Sequence, residues 1–98
     1  MVVGSLRLDV LLGDVHSLKG KRGVVRPVLA ELRRRFEVTA AETGDQDLHR
    51  RAEIGVAVVA ADVDHAQALL DACERLVAGR PDLELVSARS RVWDDEDE

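Results

Sequence analysis

The residues best suited to chemistry lie in one short segment, His16 to Arg22, which reads His-Ser-Leu-Lys-Gly-Lys-Arg. It contains both lysines of the chain, Lys19 and Lys21, with Arg22 directly after them. Ser17 is suited to cap a helix start, because its hydroxyl can accept a hydrogen bond from a free backbone N–H. Cations beside the free N–H groups of a helix start favour an anion there. The segment therefore predicts an anion-binding site, with phosphate as the natural candidate.

The other reactive residues do not indicate a metal site or a catalytic nucleophile. The three histidines, His16, His49 and His65, lack the spacing of metal ligands. Cys73 is the only cysteine, so no internal disulfide can form. Cys73 falls on the apolar stripe of a predicted helix, where it would be buried. His16 and Ser17 are neighbours in sequence, but this does not place the imidazole beside the hydroxyl as a catalytic base would require. We predict no metal, no cofactor and no enzymatic activity.

Composition indicates one small globular domain. Hydrophobic residues make up 46% of the 98 residues and charged residues 34%, as in ordinary soluble proteins. The last five residues, 94–98, are all acidic; without them 14 acidic residues (19 − 5) balance 14 basic ones. We therefore predict one domain over residues 1–93 and an acidic C-terminal tail over residues 94–98. The chain shows neither a signal peptide nor an apolar run of about 20 residues, so we expect a cytoplasmic protein without membrane contact.

Hydrophobic periodicity predicts a strand, a helix and a strand in the first half of the chain, and these elements must position the residues named above. Alternation over Val2–Leu12 is typical of a half-buried strand. A helix follows Ser17, but Pro27 is tolerated only near a helix start, so its regular part is expected from about Val24. A strand over Phe36–Glu42 comes next.

The second half of the chain continues with a strand, a helix and a strand. Residues Arg51–Ala61 are apolar on both faces, which favours a central strand. A second helix is capped by Asp62 or Asp64 and ends at Gly79, a residue suited to the left-handed position. The final strand, residues 83–93, alternates imperfectly and predicts a bulge. The order β-α-β-β-α-β predicts an α+β ferredoxin-like sandwich, with two helices on one face of a four-stranded antiparallel sheet.

This topology brings three connections to one end of the molecule: His16–Arg22, Gly44–Arg51 and the turn that contains Arg80. We expect their basic residues to form a composite site for an anion or for RNA phosphate. The candidate residues are His16, Ser17, Lys19, Lys21, Arg22, His49, Arg50, Arg51 and Arg80. In the alternative interpretation the cations are solvated, or they pair with Asp14, Asp45 or Asp47.

The residues on the predicted sheet limit which binding partners are expected. The two predicted central strands contain no aromatic residue, so base stacking on the sheet is not expected, and RNA or the ribosome would be contacted through phosphates. The outer sheet face, with small residues such as Gly55 and Ala57, is suited to a second copy of the chain, so a homodimer is an alternative. A sensor of a small phosphorylated ligand is the third hypothesis.

Two segments carry a family resemblance. Residues 16–22 and 46–52, which read His-Ser-Leu-Lys-Gly-Lys-Arg and Gln-Asp-Leu-His-Arg-Arg-Ala, together with Ile54-Gly55, resemble the YlxP-like family of small bacterial proteins. The resemblance extends over almost the whole chain and implies a ferredoxin-like fold without an assigned activity. It also implies a role near translation or ribosome maturation, because genes of this family often lie beside those for initiation factor two and ribosome-binding factor A. The acidic tail is not part of the family pattern.

Overall fold

The structure is a computed structural model that describes residues 1–97. Its elements are β1 (Val2–Leu12), α1 (Leu18–Arg35), β2 (Thr39–Gly44), β3 (Arg51–Ala60), α2 (Val63–Ala78), β4 (Leu83–Asp94) and a 3₁₀ turn (Asp95–Asp97). The four strands form an antiparallel sheet in the order β2-β3-β1-β4. This confirms the predicted ferredoxin-like α+β fold, with β1 and β3 in the centre.

The core lies between one face of the sheet and the two helices. Even-numbered residues of β1 and β3 point inward, and Leu6, Leu8 and Ile54 are almost fully buried. The helices contribute residues at spacings of three and four, the period of an amphipathic helix. These are Val25, Val28, Leu29 and Leu32 on α1, and Ala66, Leu70, Cys73 and Val77 on α2. Within residues 1–97, no helix packs on the opposite sheet face.

Helix α1 begins at Leu18, nearly two turns before the start near Val24 that was expected from Pro27. Ser17 is its N-cap and accepts a hydrogen bond from the Gly20 N–H at 3.0 Å. Pro27 lies inside the helix, where it removes a bond to the carbonyl of Gly23. Both residues are exposed, so water can solvate that carbonyl. The prediction of a start near Val24 was therefore wrong, because a solvent-facing proline costs the helix less than a buried one.

The other helix and strand boundaries differ less from the predicted ones. Strand β2 starts at Thr39, because the Phe36 N–H still bonds to Leu32 and Val38 bonds back to Phe36. The predicted bulge in β4 is confirmed: the pairing with β1 shifts between Ser87 and Leu85. Gly79 ends α2 with φ −83°, not in the left-handed conformation that was predicted.

The C-terminal region continues from β4, which extends through Asp94. The predicted acidic tail thus begins within the last strand and then forms the 3₁₀ turn, while its final residue, 98, lies outside the described part of the chain. The Asp95 N–H donates to the Met1 carbonyl at 3.1 Å. Within residues 1–97, neither helix is both long and apolar enough to cross a membrane.

Candidate functional site

Residues 13–22 and 45–51 form one end of the molecule, which we call the basic end. The two segments are joined by backbone and side-chain hydrogen bonds. Leu12 N–H donates to the Arg50 carbonyl at 2.8 Å, and the Arg50 guanidinium donates to the Gly13 carbonyl at 3.1 and 3.3 Å. Arg50 is therefore held across the gap between the two loops, with its charge at an exposed position.

Lys21 is buried and connects α1 to the loop of the basic end. Its ammonium donates to the carbonyls of Asp45 at 2.6 Å and Leu48 at 2.7 Å. It also lies 2.7 Å from Glu42 Oε2, an oxygen sealed from solvent. Lys21 itself is 2% exposed. The two carbonyls use two of the three N–H donors of the ammonium, and the Glu42 carboxylate balances its charge as an ion pair without a hydrogen bond to Oε2. Lys21 therefore orders the loop over residues 45–50 from inside.

This corrects the expectation that Lys21 faces an external phosphate. In sequence it resembles Lys19 and Arg22, but it lies four residues before Val25 and seven before Val28, on the buried stripe of α1. Positions at these spacings share one face of a helix. The helical period was therefore the signal that distinguishes Lys21 from its neighbours, and it was overlooked.

Asp45 adopts an unusual backbone conformation at the start of this loop. Among residues 1–97 it is the one non-glycine residue with positive φ, 59°, in the left-handed region that aspartate tolerates better than most residues. Its carbonyl accepts hydrogen bonds from Lys21 Nζ and from the Leu48 N–H, the latter at 3.1 Å. The buried ammonium and the local turn thus hold the same carbonyl, and together they define the course of the loop.

Lys19 and Arg22 remain exposed, and the structure shows a third member of their surface. Arg26 is also exposed and lies four residues after Arg22, so the three side chains follow one helical face. We call Lys19, Arg22 and Arg26 the basic flank. Arg26 was not predicted, because it lies outside the 16–22 segment, on the helical face that continues from it.

The basic flank borders the free edge of the sheet. Arg33, seven residues beyond Arg26 and thus on the same side of α1, donates from Nε to the Ala40 carbonyl of β2 at 3.1 Å. Strand β2 is an edge strand. Within residues 1–97, no ion pair joins Lys19, Arg22 or Arg26 to Asp14, Asp45 or Asp47. The alternative in which these aspartates neutralise the cations is not observed.

The other candidate residues of the basic end lie at its surface. His16, Ser17, His49 and Arg51 are all exposed. The Ser17 hydroxyl is occupied by its cap bond to Gly20. Arg51 begins β3 and pairs in register with Leu11 of β1, which places it where the outer sheet face meets the basic end.

Arg80 does not join this group. Its guanidinium donates to Asp82 at 3.0 and 3.1 Å and to Glu31 at 3.3 Å. Glu31 lies 13 residues after the first residue of α1, about 20 Å along the helix axis. Arg80, hydrogen-bonded to Asp82, lowers the pKa of that carboxyl below its ordinary value. The turn that contains Arg80 does lie beside Gly13 and Asp14, as the topology predicted. The expectation that Arg80 is available to an anion is corrected, because two carboxylates already pair with its guanidinium.

Other chemical groups do not assemble into a further site in the described region. Among residues 1–97, no three His, Cys, Asp or Glu side chains gather at a distance suited to a metal ion. Cys73 is buried in the core, and burial raises the pKa of its thiol to about 11. A thiol of that pKa carries very little thiolate near neutral pH, and the thiolate is the nucleophilic form.

Comparison with known proteins identifies the family of the chain. The chain is similar to the uncharacterized protein YlxP of Bacillus subtilis (strain 168), with 26% identity over 89 residues, covering 91% of this chain and 97% of that protein. A family model described as a protein of unknown function, DUF503, matches residues 3–90. The match spans both segments of the basic end and ends before the acidic residues 94–98. The chain therefore belongs to the DUF503 family of YlxP-like proteins.

Proposed function

We propose that the protein binds the phosphate backbone of RNA through the basic end and the basic flank. The observation that carries this proposal is the basic flank itself: three exposed cations on one helical face, with no carboxylate partner among residues 1–97. Phosphate contacts of this kind need clustered Lys and Arg but no catalytic group.

Preorganisation supports the proposal. A flexible lysine-rich loop would have to be ordered when the RNA binds, at a cost in entropy. Here the buried Lys21 already orders the 45–50 loop, and Arg50 ties that loop to Gly13. Arg50 and Arg51 are thereby presented beside the start of α1. The overall charge of −5 does not oppose local binding, because the acidic residues 94–97 lie at the opposite end of β1, where Asp94 pairs with Val2.

The ribosome is the partner that best fits the family context. The gene neighbourhood implied by the YlxP-like resemblance concerns translation initiation and ribosome maturation. A surface that contacts phosphates but not bases recognises the shape of the RNA backbone. It therefore needs a partner with structured, closely spaced phosphates, as in ribosomal RNA. We accordingly propose a role in translation or in the maturation of the ribosome, exerted by binding.

The test compares two triple variants of equal charge. Lys19→Ala/Arg22→Ala/Arg26→Ala removes the basic flank, and Arg34→Ala/Arg75→Ala/Arg89→Ala removes three exposed cations from elsewhere. Binding to a labelled RNA oligonucleotide and to purified small ribosomal subunits is measured over a salt series. The first variant is expected to lose at least about tenfold in affinity at low salt and to reduce the salt slope by about 2. The control is expected to bind nearly as the native protein does.

Equal losses in both variants would overturn the proposal, because they would mean that only net charge matters. Binding independent of salt would overturn it as well. A thermal-shift series with free nucleotides addresses the small-ligand alternative. Stabilisation by a nucleotide together with no RNA binding would replace RNA by a small phosphorylated ligand at the same end.

A further inference from the structure

The outer face of the sheet, which carries no helix, has an apolar ridge at one end. Strand pairing places Val59, Val3 and Trp93 side by side in one row across β3, β1 and β4. Val59 is 66% exposed and Trp93 39%. The Arg91 guanidinium lies over the indole, 5.1 Å from its centroid, and helps to hold the ring in place. Large apolar side chains in a contiguous exposed row are typical of a contact surface.

The same face has a groove of small residues beside the ridge. The groove has a volume of about 440 Å³ and runs over β1, β3 and β2. Its lining includes Thr39, Ala41, Thr43, Gly55 and Ala57. A side chain at Gly55 would fill it, since a Cβ there would lie 2.6 Å from Thr43. We call this feature the small-residue groove.

We propose that a second copy of the chain covers this face, and that Trp93 of each copy enters the small-residue groove of the other. A two-fold interface requires one surface to carry both a protrusion and its complement, because each contact occurs twice. An axis parallel to the strands, between β3 and β1, places β4 of one copy over β2 of the other in the order β2-β3-β1-β4. Rotation about this axis keeps each residue at its own level along the strands, so Trp93 lies over the β2 side of its partner, about 7 Å from the row of Thr39 and Ala57 at the near end of the groove. An aromatic side chain can span such a diagonal distance.

Charge does not oppose this pairing. The outer face is close to neutral although the chain carries −5, so two copies meet without strong repulsion. Its basic residues are Arg7, Arg51, Arg89 and Arg91, and its acidic residues are Asp9, Glu53 and Glu84. Arg7 and Glu53 already form an ion pair at 2.9 Å, which leaves little unpaired charge beside the groove.

The size of the face determines how tightly the copies can associate. Four strands about 4.8 Å apart and about 10 residues long, at about 3.3 Å per residue, present about 600 Å². Two such faces bury about 1,200 Å², the lower limit of specific and stable interfaces. The dimer is therefore a reversible one, in equilibrium with the monomer at accessible concentrations. Arg51 of the basic end lies at the border of this face, but the basic flank does not, so loss of RNA binding in the Lys19→Ala/Arg22→Ala/Arg26→Ala variant would leave this proposal unaffected.

Trp93 is the only tryptophan, and its fluorescence reports directly on the contact. The native protein is examined by sedimentation and by tryptophan emission from about 1 μM to about 1 mM, a range that brackets a micromolar dissociation constant. The mass is expected to rise from monomer to dimer, with a parallel blue shift of the emission as the indole leaves water. A native protein that stays monomeric throughout would overturn the proposal.

Substitutions locate the interface. Ala57→Arg places a charge in the small-residue groove, and Val59→Lys, at a highly exposed position, changes the ridge with little risk to folding. Both are expected to remain monomeric with unshifted emission, and circular dichroism verifies that they are folded. Val63→Arg, at an equally apolar exposed position in the first turn of α2, is the matched control and should dimerise normally. A dimer that tolerates both face variants, or that forms without a change in emission, would contradict the assignment.

Discussion

At the scale of single residues, two lysines that lie two positions apart have opposite roles. Lys19 is exposed on the basic flank, whereas Lys21 is buried and its ammonium is shared among Glu42, Asp45 and Leu48. A buried lysine is tolerated only when its donors and its charge are satisfied. Here the arrangement joins α1, β2 and the 45–50 loop, so one side chain organises the surface on which its neighbours act.

Replacing Lys21 by methionine should therefore destabilise the fold. Lys21→Met keeps the apolar stem but leaves Glu42 and two loop carbonyls without their partner, so we expect a loss of about 2–3 kcal/mol in the free energy of unfolding. Lys19→Met, at an exposed position, should change it by less than about 0.5 kcal/mol. Urea denaturation measures both. Similar effects of the two substitutions would mean that the buried ion pair contributes nothing.

At the scale of elements, the sheet is built around a close contact between neighbouring strands. Gly55 of β3 leaves room for Thr43 of β2, whose hydroxyl donates to Glu53 Oε2 at 2.6 Å. This hydrogen bond, followed by that from the Arg7 guanidinium, lowers the pKa of Glu53. The orientation of Thr43 is thus restrained, and it cannot easily move to admit a larger residue at position 55.

Substitution of Gly55 tests this contact. Gly55→Ala puts a Cβ 2.6 Å from Thr43 Cγ2 and 3.0 Å from its Oγ1, so we expect a loss of about 1–2 kcal/mol in the free energy of unfolding. In a Thr43→Ala background the same change should cost much less, because both atoms are gone. A double-mutant cycle by urea denaturation measures the difference.

Gly23→Ala is the matched control for that cycle. Its added Cβ meets nothing within 4 Å, and the residue lies inside α1, so we expect stabilisation by about 0.5–1 kcal/mol. An equal cost of Gly55→Ala with and without Thr43 would show that the side-chain clash is not the cause.

At the scale of the whole molecule, stability should decrease from the centre of the sheet to its edges. Strands β1 and β3 each pair on both sides, whereas β2 and β4 each have one unpaired edge among the described residues. Helices cover only the inner face, and the core residues of β1, such as Leu6 and Leu8, are almost inaccessible to solvent. The basic flank lies on α1 and thus outside this stable centre, whereas the proposed dimer face is formed largely by β1 and β3 themselves.

Amide hydrogen exchange measures this gradient. We expect the amides of β1 and β3 to exchange slowest, since their exchange requires global unfolding. In β2 and β4 every second amide points away from the sheet and should exchange much faster. The experiment is run at low protein concentration, so that monomer predominates. The predicted order of exchange rates would be contradicted if the outward-pointing amides of β4 were as protected as the amides of β1.

Much of the fold was accessible from the sequence because it depends on local periodicity. The alternation in Val2–Leu12, the Ser17 and Asp62 caps and the irregular last strand all correspond to observed features. Strand order then followed from connection rules. Two predictions that rested on a single residue type were wrong. Pro27 is tolerated on an exposed face inside α1, and Gly79 ends α2 without a left-handed conformation.

The candidate site was predictable only in part. By itself the sequence determined that basic segments 16–22 and 46–51 meet at one end, because β-α-β-β-α-β connectivity requires it. Only the tertiary structure decided which cations face water. Lys21 is neutralised within the fold by Glu42 and Arg80 by two carboxylates, whereas Lys19 and Arg22 stay exposed. Burial and ion pairing depend on side chains distant in sequence, so charge pattern alone could not separate structural from available cations.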